Sequence, residues 1–246
     1  MWSWPQLTGD LLDKAPGLRF RRHLDLNQAG AREALKGDAR VSLVRGAFSP
    51  AVAEMALGLI LSALRKISDY HGAMRRGTEP WVKNFPDDID PQERQLTGRT
   101  VGIVGFGAVG RRLGELLAPF HVDLRVYDPY LPSGLIREQG GKKVELLPLL
   151  KACDVVVICA ANNPGSKRLF GSRQIQALRR NAVLVNVARA AIVDTLALYR
   201  RLRRGNLFAA LDVFDQEPLD SDSPFRALPN AALTPHRAGG VMESVV

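Results

Sequence analysis

The chain has 246 residues, of which 46% are hydrophobic and 24% are charged. This length suits one large domain or two small ones, and the composition excludes a disordered, collagenous or coiled-coil protein. The longest apolar run, residues 155–161, is too short to cross a membrane, and the opening segment MWSWPQLTGDLLDK lacks the basic start and apolar core of a secretory signal. We therefore expect no membrane partner.

The net charge is +9, and most of the excess lies in the second half of the chain. The basic residues there form small pairs near the ends of predicted helices, with no interleaved aromatic residues. This pattern is typical of solvated helix faces, so we expect no nucleic-acid partner. Cys153 and Cys159 are too few for a disulfide scaffold and form no CxxC pair, which favours a reducing, cytoplasmic location without a metal site.

The first half of the chain is the less regular one. Residues 1–45 contain one or two weak αβ units. Residues 50–66 have apolar side chains at helical spacing, which predicts one long helix with Ser49 as its N-cap and Pro50 in its first turn. The broad apolar stripe of this helix predicts burial against the sheet or against a second copy of the chain. Residues 78–98 contain three prolines and are predicted to be an irregular connector.

The second half alternates between strand-like and helix-like segments. Strands are predicted at residues 100–105, 124–128, 154–160, 182–187, 207–214 and 231–234. Helices are predicted at residues 109–117, 131–139, 173–178 and 194–204, the last with Asp194 as its N-cap. Regular βα alternation with continuous apolar strands indicates an α/β protein, with a doubly wound parallel sheet of the Rossmann type covered by helices on both faces.

A glycine-rich turn, GFGAVG, follows the first of these strands and opens the next helix. In this GxGxxG pattern, Gly105 permits the tight turn, Gly107 lets a pyrophosphate approach the backbone, and Gly110 lets the helix pack closely on the strand. The helix N-terminus supplies free N–H groups for the phosphates. Asp128 ends the following strand, where an acidic side chain binds the ribose hydroxyls and repels a 2′-phosphate. The pattern predicts a dinucleotide site that favours NAD over NADP.

Three later segments place polar residues at the carboxyl ends of predicted strands. Arg189 follows the strand ending at residue 187, Asp212 and Glu217 follow the next strand, and His236 follows the last one. Each could be structural when considered alone: a surface arginine, a loop acid or a core histidine. Together they supply a cation for an oxyanion, a proton donor and a carboxylate that orients the donor, at the edge that carries the dinucleotide loop.

The segments GFGAVG, VYDPY, NVARAAIVD, ALDVFDQEPL and TPHRAGG, in this order, resemble the D-isomer-specific 2-hydroxyacid dehydrogenase family. That family includes phosphoglycerate, hydroxypyruvate and formate dehydrogenases. The resemblance covers about residues 45–246, and SPAVAEMALGLILSALR is similar to the family's long inter-domain helix. It implies three parts: a remnant of a small, flavodoxin-like substrate domain at 1–48, an NAD-binding Rossmann domain at 49–240, and the shortened start of a C-terminal helix at 241–246.

The resemblance also implies a catalytic role for three residues. His236 would be the acid–base that protonates the substrate carbonyl oxygen as hydride arrives from the nicotinamide. Glu217 would hydrogen-bond His236 and keep it protonated for reduction. Arg189 would bind the substrate carboxylate and polarise its carbonyl group. The activity implied is NAD-dependent interconversion of a D-2-hydroxy acid and its 2-keto acid.

The remaining contacts implied by the resemblance concern the cofactor NAD and a second subunit. Asp212 would hold the nicotinamide carboxamide, and Ala108 and Val109 would present backbone N–H groups to the pyrophosphate. Val187 and Gly239 would border the nicotinamide. The family's inter-domain region also implies a homodimer in which the long helix packs against its copy.

The sequence departs from the family pattern in several places. Ala190 stands where a glycine is usual after the arginine, and CAANNPGSK at 159–167 replaces the usual His-x-Pro-Leu-Thr-Pro loop. Only about 45 residues precede the long helix, and RRHLD at 21–25 lacks the glycine of the family's substrate-binding loop. These departures leave a second hypothesis open, a catalytically impaired NAD-binding module or corepressor-like regulator, because fold alone does not establish activity.

Overall fold

The computed structural model describes residues 20–23, 40–43 and 46–244, which fall into two units, Met1–Ala47 and Phe48–Val246. In the first unit, strands β1 (Phe20–His23) and β2 (Arg40–Leu43) pair in parallel. The predicted flavodoxin-like domain otherwise lies outside the described residues. Of the segment 21–25, the first three residues belong to β1 and the last two are not described.

The second unit is a sheet with helices packed against it. Within residues 46–244 its strands are β3 (Thr100–Val104), β4 (Asp123–Tyr127), β5 (Lys142–Lys143), β6 (Val155–Ile158), β7 (Ala182–Asn186), β8 (Leu207–Leu211) and β9 (Ala231–Leu233). Its α-helices are α1 (Ser49–Arg65), α2 (Ile67–Arg76), α3 (Ala108–Leu117), α4 (Ser133–Glu138), α5 (Leu146–Ala152), α6 (Ser172–Ala177) and α7 (Thr195–Leu202).

All seven strands of this unit are parallel, in the order β5-β4-β3-β6-β7-β8-β9. The chain proceeds outward from β3 in one direction and then returns to continue from β6 in the other. The strand order therefore reverses between β3 and β6, and ligands of such sheets bind in the crevice outside the carboxyl ends at this point. The predicted Rossmann-type fold is confirmed.

The central strands are buried on both faces, which explains their continuous apolar sequence. In β6, Val155 and Val157 pack into the core under α1 and α3, whereas Val156 and Ile158 face the core under α5, α6 and α7. Leu113 of α3 and Leu198 of α7 contribute to these two cores respectively. Each such leucine stabilises the fold by about 1.5–3 kcal/mol through burial.

The long helix α1 differs from its prediction at its start. It begins at Ser49 rather than after it, and its N-cap is Phe48, so the Ser49 hydroxyl makes no capping bond. Its buried residues, among them Ala56 and Ile60, belong to the core formed with α3 and the sheet of the same chain. Other residues of its apolar stripe, Met55, Leu57 and Leu61, are only partly buried, and their packing against a second copy stays a prediction.

Three other elements depart from the predictions. Strand β8 ends at Leu211 instead of 214, because the backbone beyond it turns to bring Asp212 and Glu217 into contact with the 234–238 loop. Helix α2 was not predicted, although Ile67, Tyr70 and Met74 recur at helical spacing; none of its residues is buried. Helix α5 was also missed, because its sequence LLPLLKA combines a continuous apolar run with a proline. In the described part of the chain, no helix has the length and apolar character needed to cross a bilayer.

Candidate active site

The glycine-rich turn connects β3 to α3 at the point where the strand order reverses. Gly105 has a φ of +90°, and a Cβ added to it would lie 2.5 Å from the Ala160 backbone. A Cβ on Gly110 would lie 2.4 Å from the Gly105 carbonyl oxygen. Both positions therefore require glycine, the first for its conformation and the second for the close approach of helix to turn.

Gly107 has no such structural requirement. Its φ is −72°, and a Cβ added to it would meet no atom within 4 Å. Helix α3 starts at Ala108 without a side-chain cap, so its first N–H groups point into the same open space. This arrangement fits a dinucleotide pyrophosphate, because free N–H groups and the positive end of a ten-residue helix face a position that only glycine keeps open.

Asp128, predicted to bind ribose, follows β4 and lies beside the glycine-rich turn. Its Oδ2 accepts a hydrogen bond from the Phe106 N–H at 2.8 Å, and its Oδ1 accepts from the N–H groups of Tyr130 and Leu131. The residue is only 8% exposed. The carboxylate therefore joins two loops of the crevice directly, while its contact with a ribose stays a prediction.

Arg189 is exposed at the end of β7, where the sequence placed it. The segment is shaped by Asn186, whose Oδ1 accepts from the Ala188 N–H and whose Nδ2 donates to the Arg189 carbonyl oxygen. The Arg189 guanidinium donates one hydrogen bond to the Ala188 carbonyl oxygen at 2.7 Å. Its remaining N–H groups form no hydrogen bond with residues 46–244, which leaves them available to a ligand carboxylate as far as this part of the chain is concerned.

Glu217 and His236, from the loops after β8 and β9, are in direct contact. The Nδ1–H of His236 donates to Glu217 Oε2 at 2.6 Å, and Glu217 Oε1 accepts from the Phe214 N–H. The histidine side chain is 39% exposed, against 20% for the glutamate. Because Nδ1 is engaged, Nε2 is the ring nitrogen available to a substrate.

Asp212 is fully buried behind this pair and organises the loop that carries His236. Its carboxylate accepts hydrogen bonds from the Thr234 hydroxyl and from the N–H groups of Arg237 and Ala238. His236 has a φ of +52°, a conformation that non-glycine residues rarely adopt. The hydrogen bonds on either side of it stabilise this conformation. The predicted contact of Asp212 with a nicotinamide carboxamide stays a prediction.

The other predicted cofactor residues lie at the same edge of the sheet. Val187 is buried at the end of β7, and Ala108 and Val109 form the first turn of α3. A Cβ on Gly239 would lie 3.1 Å from the Phe48 ring, so this glycine packs against the start of α1. The glycine-rich turn, Arg189, Glu217 and His236 thus follow the carboxyl ends of β3, β7, β8 and β9.

The comparisons with known proteins agree with this arrangement. A family model described as "D-isomer specific 2-hydroxyacid dehydrogenase, NAD binding domain" matches residues 57–238. The chain belongs to this family. The matched residues all lie within the second unit described above.

Individual members of the family resemble the chain over nearly its whole length. It is 30% identical to D-3-phosphoglycerate dehydrogenase of Methanocaldococcus jannaschii, over 98% of the chain and 45% of that protein. It is 30% identical to glyoxylate reductase of Aeropyrum pernix, over 96% of the chain and 71% of that protein. The structure of an NAD-dependent formate dehydrogenase from Staphylococcus aureus in complex with NAD matches with a TM-score of 0.76 and 30% identity, over 97% of the chain and 70% of that one. The chain thus spans less than half of the first protein.

The loop that departs from the family pattern, 159–167, has its own internal support. Asn163 Oδ1 accepts hydrogen bonds from the N–H groups of Gly165 and Ser166, and the buried Ser166 hydroxyl donates to the Ala161 carbonyl oxygen. These hydrogen bonds restrain the loop at positions where the usual family sequence has prolines. Among residues 46–244, no group of His, Cys, Asp and Glu side chains could hold a metal ion.

The sequence reasoning missed two residues that shape the site, Asn186 and Thr234. Asn186 is 2% exposed and orients the Arg189 segment, and Thr234 donates to the buried Asp212. A usable signal was present in both cases. Each is a polar residue at the end of an otherwise apolar strand, which indicates that its side chain has a hydrogen-bonding partner there.

The pH dependence of stability provides a test of the Glu217–His236 contact. Burial raises the pKa of Glu217, but hydrogen bonds from His236 and the Phe214 N–H outweigh burial and hold its pKa below the ordinary 4.5. Between the lowered pKa of Glu217 in the folded state and its ordinary pKa in the unfolded state, the unfolded state binds more protons. Stability therefore rises with pH in this range. We expect the free energy of unfolding of the wild type, minus that of Glu217→Gln, to fall as the pH drops below 4.5. Urea unfolding from pH 3 to 7 measures this, and a pH-independent difference would contradict it.

Proposed function

We propose that this protein is an NAD-dependent oxidoreductase that interconverts a D-2-hydroxy acid and its 2-keto acid by hydride transfer. The observation that carries the proposal is the 2.6 Å contact between His236 Nδ1 and Glu217 Oε2. A histidine held in this way has one ring nitrogen oriented by a carboxylate and the other available for proton transfer. The family membership and the names of the relatives, a phosphoglycerate dehydrogenase and a glyoxylate reductase, support the same reaction class.

The glycine-rich turn and the first N–H groups of α3, at Ala108 and Val109, would hold the pyrophosphate of NAD. Asp128 would face the adenosine ribose, and Val187, Asp212 and Gly239 would surround the nicotinamide. When bound, NADH supplies the hydride that reduces the carbonyl carbon of the substrate. The open space at Gly107 and the uncapped start of α3 support this placement.

The reaction needs a proton donor and a group that holds the substrate carbonyl in place, and the chain has a residue for each. His236 would donate its Nε2 proton to the substrate carbonyl oxygen during reduction, and would accept it back during oxidation. Glu217 would stabilise the imidazolium through Nδ1. Arg189, exposed and with free guanidinium N–H groups, would bind the substrate carboxylate and polarise the carbonyl.

Turnover by the purified full chain tests the proposal. We expect NADH oxidation in the presence of at least one small 2-keto acid from a panel of glyoxylate, pyruvate, hydroxypyruvate and phenylpyruvate. NADH binding is followed in parallel by fluorescence. NADH binding with no turnover of any keto acid would refute the dehydrogenase and leave a binding module.

We further propose that the protein is a homodimer and acts in the cytoplasm, where its two cysteines stay free. We place part of the surface for a second copy in the segment that follows α2. Trp81 and Phe85 are 65% and 81% exposed, and Val82 and Ile89 are also exposed. Large apolar side chains concentrated in one short segment are typical of an interface between proteins.

Sedimentation velocity at micromolar concentration tests the dimer. We expect a dimer for the unmodified chain and a monomer for Val82→Asp/Phe85→Asp, because the two carboxylates would be desolvated in the interface. Leu135→Asp, which changes an exposed apolar residue on α4, is the matched control and should remain dimeric. A monomeric unmodified chain, or a dimeric double variant, would refute this interface.

A further inference from the structure

Arg111 lies near the start of α3, and its side chain returns to the glycine-rich turn. Its Nε–H donates to the carbonyl oxygen of Phe106, five residues earlier, at 3.2 Å. Long side chains in a helix point toward the N-terminus of the helix, and this one extends beyond Ala108, where α3 begins. The guanidinium therefore lies at the end of α3 that faces the proposed position of the pyrophosphate.

The residue that holds this guanidinium is itself fixed. The Phe106 side chain is fully buried in the core under α1 and α3, and its N–H donates to Asp128 Oδ2 at 2.8 Å. The N–H of Arg111 donates to the Gly107 carbonyl oxygen at 3.0 Å. Arg111 is thus attached to the turn through both its backbone and its side chain. A guanidinium that is ordered in advance loses less freedom when a ligand binds, which favours affinity.

Small residues leave the Arg111 guanidinium open to the start of the helix. Gly107 has no side chain, and a Cβ built on it would meet no atom within 4 Å. The side chain of Ala108 is a single methyl group, and this residue is exposed. Neither residue shields the guanidinium from a ligand that is bound at the first N–H groups of α3.

The charge of Arg111 forms no salt bridge with any residue in 46–244. Its Nε–H makes the hydrogen bond to Phe106, and its terminal N–H groups make none within that part of the chain. Arg112, the next residue, differs, because its guanidinium donates to Glu115 Oε2 at 2.9 Å. Of these two adjacent arginines, the one whose terminal donors remain available is the one beside the glycine-rich turn.

Asp128 is the acidic residue at the same turn, and it occupies the other side of the Phe106 backbone. Its carboxylate accepts from the Phe106 N–H, whereas Arg111 donates to the Phe106 carbonyl oxygen. The carboxylate stays charged, so the balance of charge at the turn does not select a ligand. The ligand follows from the family, which is described as NAD-binding, and the diphosphate of NAD is anionic.

We propose that Arg111 is a further cofactor-binding residue, whose terminal N–H groups donate to oxygens of the NAD diphosphate. A planar guanidinium suits paired phosphate oxygens, and hydrogen bonds between charged groups are about twice as strong as those between neutral groups. The N-terminus of α3 contributes only a partial charge of about half a unit, and Arg111 adds a full charge beside it. This role rests on the placement of NAD in the proposed function.

Fluorescence titration of the full chain with NADH tests the role of Arg111. Arg111→Gln should weaken NADH binding at least about tenfold at low salt, because charged hydrogen bonds to the diphosphate are lost. The loss should shrink at high NaCl concentration, since salt screens the attraction that the wild type retains. Arg112→Gln removes the same charge one residue away and is the matched control, so its NADH affinity should be unchanged. Without NADH, Arg111→Gln should melt at the wild-type temperature, because the buried Phe106 keeps the turn in place.

Several results would overturn the assignment of Arg111. One is an equal NADH affinity of Arg111→Gln and the wild type, and another is an equal loss of affinity in Arg112→Gln. A loss that is independent of salt, or that comes with a lower melting temperature, would show that Arg111 only supports the turn. Each of these results leaves the proposed function intact, whereas failure of the unmodified chain to bind NADH would overturn both.

Discussion

Replacing His236 by alanine is expected to lower kcat by about 10²–10⁴-fold, the usual contribution of a positioned acid–base. In the proposed function the glycine-rich turn and Asp128 hold the dinucleotide, so the dissociation constant for NADH should change little. The measurement is steady-state NADH oxidation with the keto acid that is reduced fastest, together with fluorescence titration of NADH. An unchanged affinity for NADH together with a lost turnover would identify a chemical role for His236.

The matched control is His71→Ala, which removes an exposed histidine from α2, far along the chain from the site. This variant should retain full activity. If His236→Ala keeps more than a tenth of the wild-type kcat, His236 is not the acid–base. If it loses NADH binding to the same degree as turnover, the histidine has a structural role in the loop that Asp212 holds.

Two alanine substitutions in the glycine-rich turn are expected to differ strongly in their effect on stability. Gly105→Ala should lower the free energy of unfolding by about 3 kcal/mol, because a φ of +90° is unfavourable for alanine and the new Cβ would lie 2.5 Å from the Ala160 backbone. Gly107→Ala should change stability by less than about 0.5 kcal/mol, since no atom lies within 4 Å of its Cβ.

Cofactor binding separates these two variants further. Gly107→Ala should weaken NADH binding at least about tenfold, because its methyl group occupies the space through which the pyrophosphate approaches the backbone. Urea unfolding and NADH titration of the same preparations give both quantities. A Gly107→Ala protein that binds NADH as tightly as the wild type would show that the pyrophosphate does not lie at this turn.

Much of the second unit could be predicted because the sequence patterns that mark its strands, turns and caps involve neighbouring residues. The strand at Thr100–Val104 is marked by an apolar run, and the turn after it by glycines at fixed spacing. Asp194 was identified as an N-cap because capping involves neighbouring residues, and its carboxylate does accept from the Ala197 N–H. Helix α2 carries a local signal that the prediction missed: Ile67, Tyr70 and Met74 recur at helical spacing, although none of its residues is buried.

Contacts between distant segments were not predictable in this way. The ends of strands could be identified, but not which N–H groups Asp128 and Asp212 would bind there. Asp128 joins Phe106 across 22 residues, and Asp212 joins Ala238 across 26. Such partners depend on strand order and on how each loop turns, which neighbouring residues do not encode. The packing of α1 on its own sheet was undecided for the same reason.

The sequence by itself determined the order of the elements, the dinucleotide turn and the residue types available for chemistry, because these depend on local spacing and side-chain properties. Tertiary structure decided which of those residues meet. It brought Glu217 and His236 to 2.6 Å and buried Asp212 behind them. Parallel strands place the ends of distant segments side by side, so a site built at that edge exists only once the sheet has formed.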